Sequence, residues 1–134
     1  AEQSCRELGL VDRVSFLGVR DDVPDLLAAA DIALLWSHYE GMPLSLVEGM
    51  AAGCAVIGSD VDGVHELIDH ERTGFVVGSV DDAVLAVDRV ATLDRSAMPP
   101  WVTTRNGAGT HVSTSNRATS SRSVIGYQPL APER

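Results

Sequence analysis

The sequence predicts an α/β fold, a partial doubly wound parallel sheet followed by an irregular C-terminal tail. Three observations carry that reading: four short apolar runs, helical patterns between them, and a change of composition near residue 95. Short runs bounded by turn residues suit strands buried on both faces, and single intervening helices supply the crossovers that parallel pairing requires. With 134 residues, 45% of them apolar, one domain with a respectable core is expected.

The first run is residues 13–17, RVSFL, read as a strand. Residues 21–30, DDVPDLLAAA, follow as a helix, because acids and Pro24 suit a first helical turn. Residues 32–36, IALLW, make the second strand, and a helix over 44–52 starts behind Pro43. Residues 55–58, AVIG, are the third strand, with a short helix over 63–69. Residues 74–77, GFVV, are the fourth, and residues 81–93 place Val84, Val87 and Val90 at helical spacing. In the doubly wound order 3-2-1-4-5-6, two absent strands would lie between 13–17 and 32–36 and leave a gap in the sheet.

Charge divides the chain. Residues 1–95 carry 18 Asp and Glu against 6 Arg, net −12, and residues 96–134 carry 1 against 4, net +3, which together make the −9 of the whole. The second segment has 11 Ser and Thr and 4 Pro among its 39 residues and no trustworthy helix or strand period, so it reads as irregular or disordered. The expected units are therefore a partial α/β domain over 1–95 and an irregular tail over 96–134. A chain of this charge without any lysine offers no phosphate-backbone surface, which excludes nucleic acid as a partner. Cys5 and Cys54 are too few for a disulfide scaffold and are read as free thiols, and no metal-ligand spacing is visible. There is no apolar run of roughly twenty residues and no secretory leader. The expected location is the cytoplasm, or the inner face of the membrane with peripheral contact.

Residues 37–60, SHYEGMPLSLVEGMAAGCAVIGSD, hold the candidate site. In an open parallel sheet, ligands gather at the carboxyl ends of strands, where helix N-termini present unpaired N–H groups. The loop from Gly41 through Met42, Pro43 and Leu44 to Ser45 is thus a seat for a phosphate or diphosphate, with Gly41 allowing close approach. Glu40 precedes the helix, and Glu48 is expected on the helical face that looks back at the loop. A carboxylate beside a phosphate must address something else, and a vicinal diol offers two O–H donors to its two oxygens. A nucleotide sugar has diols on its ribose and its hexose with a diphosphate between them. Spacing alone is weak, because the macrodipole also favours Glu near a helix start.

The wider pattern is stronger. Ser37, Glu40, Gly41, Glu48, Met50, Ala51 and Gly53, then AVIG, then Gly63 and Glu66, Leu67 and Ile68 resemble the hallmark of family 4 (group 1) retaining glycosyltransferases of the GT-B architecture. The likeness covers about residues 7–93 and fits their C-terminal, donor-binding half. It implies hexosyl transfer from a nucleotide-sugar donor, UDP before GDP, to a glycan or lipid-linked acceptor with retention, as in surface polysaccharide or glycolipid synthesis. It implies that Glu40, the catalytic candidate, meets hydroxyls of the donor sugar and that Glu48 holds the ribose. Backbone N–H groups over 42–45 would cradle the diphosphate, and Gly18 and Val19 would lie beside the base. No metal or other cofactor is implied.

Departures remain. Asp62 stands where the family has the first of two loop glycines, so Glu66 is open to a purely structural role. His38 and His65 are read as solvated or hydrogen-bonded, and Trp36 as core. The family's basic Arg and Lys pair and its N-terminal acceptor domain have no counterpart here. The expectation is a truncated piece of a longer enzyme, inactive alone, whose pattern breaks near Arg95 through a shifted reading frame or, second, a natural disordered tail. A non-catalytic nucleotide-binding module and a sugar-nucleotide epimerase of related fold are the alternatives.

Overall fold

The computed structural model describes residues 1–92 and 124–127. Its elements run α1 (Glu2–Glu7), α2 (Val23–Ala29), β1 (Ile32–Leu35), α3 (Leu44–Ala51), β2 (Ala55–Ser59), α4 (Asp62–Leu67), β3 (Phe75–Val77), α5 (Val80–Thr92) and β4 (Val124–Tyr127). The four strands form one parallel sheet in the order β3-β2-β1-β4. The α/β class and the parallel sheet are as the sequence predicts.

Alternation explains why the central strands read as unbroken apolar runs. Along β1, Ala33 and Leu35 face one core with Leu27 of α2, Leu46 of α3 and Val64 of α4. Ile32 and Leu34 face the other, with Ile57, Phe75 and the α5 residues Ala83, Ala86 and Val90. Successive strand residues point to opposite faces, so a sheet covered by helices on both sides must be apolar at every position. Val56 and Ile57 of β2 divide between the same two cores and are both fully buried. Val87 packs at the margin of the α5 core, whereas Val84 is exposed.

Two expectations are overturned. Residues 13–17 are not a strand: the chain there is irregular, and Val14, Phe16 and Leu17 stay exposed. A strand needs a ladder partner as well as an apolar pattern, and the free side of β1 is already taken by β4, from Ile32↔Val124 to Leu35↔Tyr127. No gap therefore separates β1 from its outer neighbour. The same pairing corrects the tail, which was expected to hold no strand. The rest of 96–134, with Leu93 and the pattern break near Arg95, lies outside the described residues. α1 was also not foreseen; it buries only Cys5 and ends before Gly9, whose φ is +66°. Both cysteines are free thiols, as expected.

Close approach of backbones sets the spacing of α3 on the sheet. A Cβ built on Gly49 would fall 2.7 Å from Ala33 Cβ and 3.6 Å from Val56 Cγ1. Gly49 therefore lets the α3 backbone rest directly on β1 and β2. In a helix interior alanine normally gains about 1 kcal/mol over glycine, so the sign of a substitution here is decided by the clash. Gly49→Ala is expected to destabilise the fold by about 1–3 kcal/mol, read from urea unfolding. Gly41→Ala, which meets nothing within 4 Å, should leave the midpoint nearly unchanged.

Candidate functional site

The candidate loop begins where β1 ends, and its first residue is tied to β2. Ser59 Oγ donates to the Ser37 carbonyl at 2.7 Å and accepts from the Ser37 N–H at 2.9 Å. Ser37 Oγ in turn donates to the Tyr39 carbonyl at 2.9 Å and accepts from the Tyr39 N–H at 3.4 Å. Both serines are buried, and the Ser59 hydroxyl satisfies backbone groups of Ser37 that are themselves buried. His38 and Tyr39 project into solvent from this braced turn.

The loop's far end meets α4. The Gly63 N–H donates to the Glu40 carbonyl at 3.2 Å, and a Cβ on Gly63 would lie 2.4 Å from Glu40 O and 2.5 Å from Gly41 O. Glu40 itself is half-buried. Beyond it, Pro43 is buried and has φ −78° and ψ 78° immediately before α3. Its carbonyl accepts from the N–H groups of Leu46 and Val47, and the Leu44 N–H is turned onto the Met42 carbonyl. Pro43 has no N–H to offer. The N–H groups of Gly41, Met42 and Ser45 make no backbone hydrogen bond among the described residues. They remain available at the N-terminus of α3, where the helix dipole favours an anion.

Glu48 stands apart from Glu40. It is exposed on α3 and lines a cavity of about 390 Å³ against α2, with Val23, Pro24, Leu27, Ala51 and Ala52. Gly18 lines a second cavity with residues 15–17, Arg20, Val23 and β4. Val23 is the shared wall of the two. Val19 is fully exposed. The structure thus groups Glu40 and Gly41 with Gly63, places Met42 to Ser45 at the start of α3, and sets Glu48 and Gly18 on either side of Val23. Asp62 and Glu66 are exposed on α4. His65 Nε2 is paired with Asp60 Oδ1 at 2.5 Å, a hydrogen-bonded histidine as read from the sequence, and Trp36 packs against the α5 core. Among the described residues no group of three or more His, Cys, Asp or Glu side chains is placed to hold a metal ion.

The family model described as Glycosyl transferases group 1 matches residues 1–93. The chain belongs to this family. Similar to this glycosyltransferase chain is the N-acetyl-alpha-D-glucosaminyl L-malate synthase of Bacillus anthracis, 41% identical over 91 residues, 68% of this chain and 24% of that protein. The UDP-Gal:alpha-D-GlcNAc-diphosphoundecaprenol alpha-1,3-galactosyltransferase of Escherichia coli is 35% identical over 86 residues, 63% of this chain and 22% of that protein. Among solved structures, Anabaena HepE in complex with UDP and glucose superposes with a TM-score of 0.62 at 30% identity, covering 78% of this chain and 28% of its own. The C-terminal domain of the group 1 protein LpcC from Francisella tularensis gives 0.58 at 28% identity, with 69% and 50% covered. This glycosyltransferase chain spans about a quarter of the length of those two curated relatives.

Sequence reasoning on the candidate site named the loop and both glutamates. It missed Ser59, whose reciprocal bonds with Ser37 cross 22 residues, and the contact of Gly63 with the loop backbone. Only the adjacency of β1 and β2, which a parallel ladder implies, pointed to such a tie. No described helix is long and apolar enough to cross a membrane.

Beside Gly18, Arg20 and Asp22 form a two-pronged pair. Hydrogen bonding from Arg20, aided by its charge, holds the Asp22 carboxyl below its ordinary value and raises the Arg20 guanidinium. The sign follows from linkage: a depressed folded-state pKa contributes stability at pH above the unfolded value, and that contribution is lost as pH falls through the folded value. Carboxyl NMR titration is expected to place the Asp22 midpoint below the ordinary ~3.9, and added salt should move it upward because the pair is exposed. A midpoint at or above the ordinary value would show that the pair does not form in solution.

Proposed function

We propose that this chain is the donor-binding part of a hexosyltransferase that passes a sugar from a nucleoside-diphosphate sugar to a glycan or lipid-linked acceptor. The observation that carries the reading is the set of available N–H groups of Gly41, Met42 and Ser45 at the start of α3, with Glu40 immediately before them in the loop and Glu48 on α3 at the α2–α3 groove. That arrangement matches a diphosphate flanked by two diols. On this reading Glu40 accepts hydrogen bonds from hydroxyls of the donor sugar, and the Met42 and Ser45 N–H groups hold the diphosphate. Glu48 accepts from the ribose hydroxyls across the α2–α3 groove, and the base lies near Gly18 and Val19, reached past Val23. Support for UDP over GDP comes from two similar proteins, a UDP-Gal transferase and HepE in complex with UDP and glucose.

The reaction proposed is transfer with retention at the anomeric carbon. Negative charge develops on the departing diphosphate, and fixed N–H donors aimed at that charge stabilise it without needing to reorganise. A metal has no role in this scheme. The loop from Ser37 to Glu48 carries no Arg or Lys, so the scheme draws its cations from outside that loop, and the 134 residues alone are expected to be inactive. The proposed setting is the cytoplasm at the inner face of the membrane, where lipid-linked acceptors are presented.

Calorimetric titration of UDP into the protein at its full natural length tests the reading. A hydrogen bond to a charged group contributes about 1.5–3 kcal/mol, so Glu48→Gln should weaken UDP about 10- to 100-fold. Glu40→Gln should leave UDP affinity near that of the wild type and lower sugar transfer. Absence of UDP binding, or a Glu48→Gln variant that binds UDP unchanged, contradicts the reading; sugar transfer by the isolated 134 residues contradicts the inactive-alone part of it.

A further inference from the structure

We propose that Gly63, together with Ser59, is a positioning element that fixes the Glu40 carboxylate and so governs the sugar end of the donor separately from the nucleoside end. The inference rests on the donor-binding reading above and deepens it. Gly63 is not needed for its backbone angle, since the glycines with positive φ are Gly9, Gly18 and Gly53. It is needed for space. A Cβ there would lie 2.4 Å from the Glu40 carbonyl oxygen, 2.5 Å from that of Gly41 and 2.9 Å from the Glu40 carbonyl carbon. Those are backbone atoms, so the loop and α4 would have to part.

The other end of the loop is held just as closely. Ser59 exchanges two hydrogen bonds with the Ser37 backbone, and Ser37 passes the restraint to Tyr39. Residues 37–41 are therefore clamped at both ends by one connection, the end of β2 and the first turn of α4. The Gly63 N–H bond to Glu40 O closes the clamp on the residue whose side chain would meet the sugar. Glu48 has different support, since it stands on α3 against Val23, Pro24 and Leu27 of α2. Displacing the β2–α4 connection moves Glu40 while the α2–α3 groove keeps its walls.

The test compares Gly63→Ala and Ser59→Ala with the wild type at full natural length, using UDP and a panel of UDP-hexoses, with thermal unfolding of each variant alongside. The wild type should bind its best UDP-hexose more tightly than UDP. In Gly63→Ala that sugar-dependent gain should vanish while UDP, held in part by the Met42 N–H of the peptide that the new Cβ also crowds at Gly41 O, weakens by a smaller factor than the UDP-hexose, and kcat should fall about 100-fold, the scale expected when a reacting group is misplaced by an ångström. Ser59→Ala should shift in the same direction, which keeps the inference testable if Gly63→Ala fails to fold. A merely structural role would weaken UDP and UDP-hexose in parallel, and that result overturns the inference. So does an unchanged ratio, or a wild type whose affinity shows no sugar dependence. If the wild type binds no UDP at all, the donor-binding reading fails and this inference falls with it; UDP binding with an unchanged ratio sinks only the inference.

Discussion

The parallel pairing of β1 with β2, buried on both faces, is the constraint on which the remaining structure depends. Its register, Ile32↔Ala55 to Leu35↔Gly58, brings the two strand ends level. That leaves Ser37 one residue past the position level with Ser59, and their reciprocal hydrogen bonds become possible because the strands run the same way and end within a residue of each other. Two-sided burial also demands thin helices at the closest contacts. Gly49 meets that demand under α3, and the approach of α3 to the sheet sets where its N-terminus opens. The geometry of the loop is thus inherited from the ladder beneath it.

Electrostatics at that opening pull in two directions. The N-terminus of α3 favours an anion, and three N–H groups face it without backbone partners among the described residues. The surrounding chain is acidic, with a net charge of −9, and a field of that sign disfavours a diphosphate at longer range. Short-range N–H donation is local and directional, whereas the charge of exposed carboxylates is damped within about a Debye length, ~8 Å at physiological salt. The first effect therefore governs orientation at the site, and the second makes overall affinity depend on cations supplied from elsewhere in the protein.

What the sequence revealed follows from how local each signal is. β1, β2 and β3 were legible because two-sided burial leaves runs without polar interruption. Residues 13–17 carry a similar signal in Val14, Phe16 and Leu17, yet pairing is a property of neighbours, and β4 holds the place beside β1. β4 itself, VIGY, is four residues in a Ser- and Thr-rich stretch, too short to stand out against that background. At the candidate site, Glu40 and Glu48 were named through the family resemblance, since their spacing alone is weak. Their separation onto different supports was not, because helical spacing places Glu48 only relative to α3 and says nothing of the groove that α2 makes with it. Ser59 and Gly63 were hidden for a related reason: their hydrogen-bond partners, Ser37 and Glu40, lie 22 and 23 residues away in sequence, and small residues near a strand end look like ordinary turn formers.

Gly49 and Gly63 show one residue type used twice for the same physical purpose and with different consequences. Neither relies on a left-handed backbone; each removes a Cβ where a neighbouring element packs too close to admit one. At Gly49 the neighbours are Ala33 and Val56, core side chains, so the closeness contributes to packing. At Gly63 the neighbours are the carbonyls of Glu40 and Gly41, so the closeness fixes a loop that carries a charged side chain. The sugar-facing and ribose-facing carboxylates of the proposed site then rest on separate supports, β2 and α4 for one and α2 with α3 for the other. A site divided in this way lets changes in the β2–α4 connection alter which hexose is accepted while the nucleotide grip is conserved. A single helix bearing both carboxylates would couple the two choices.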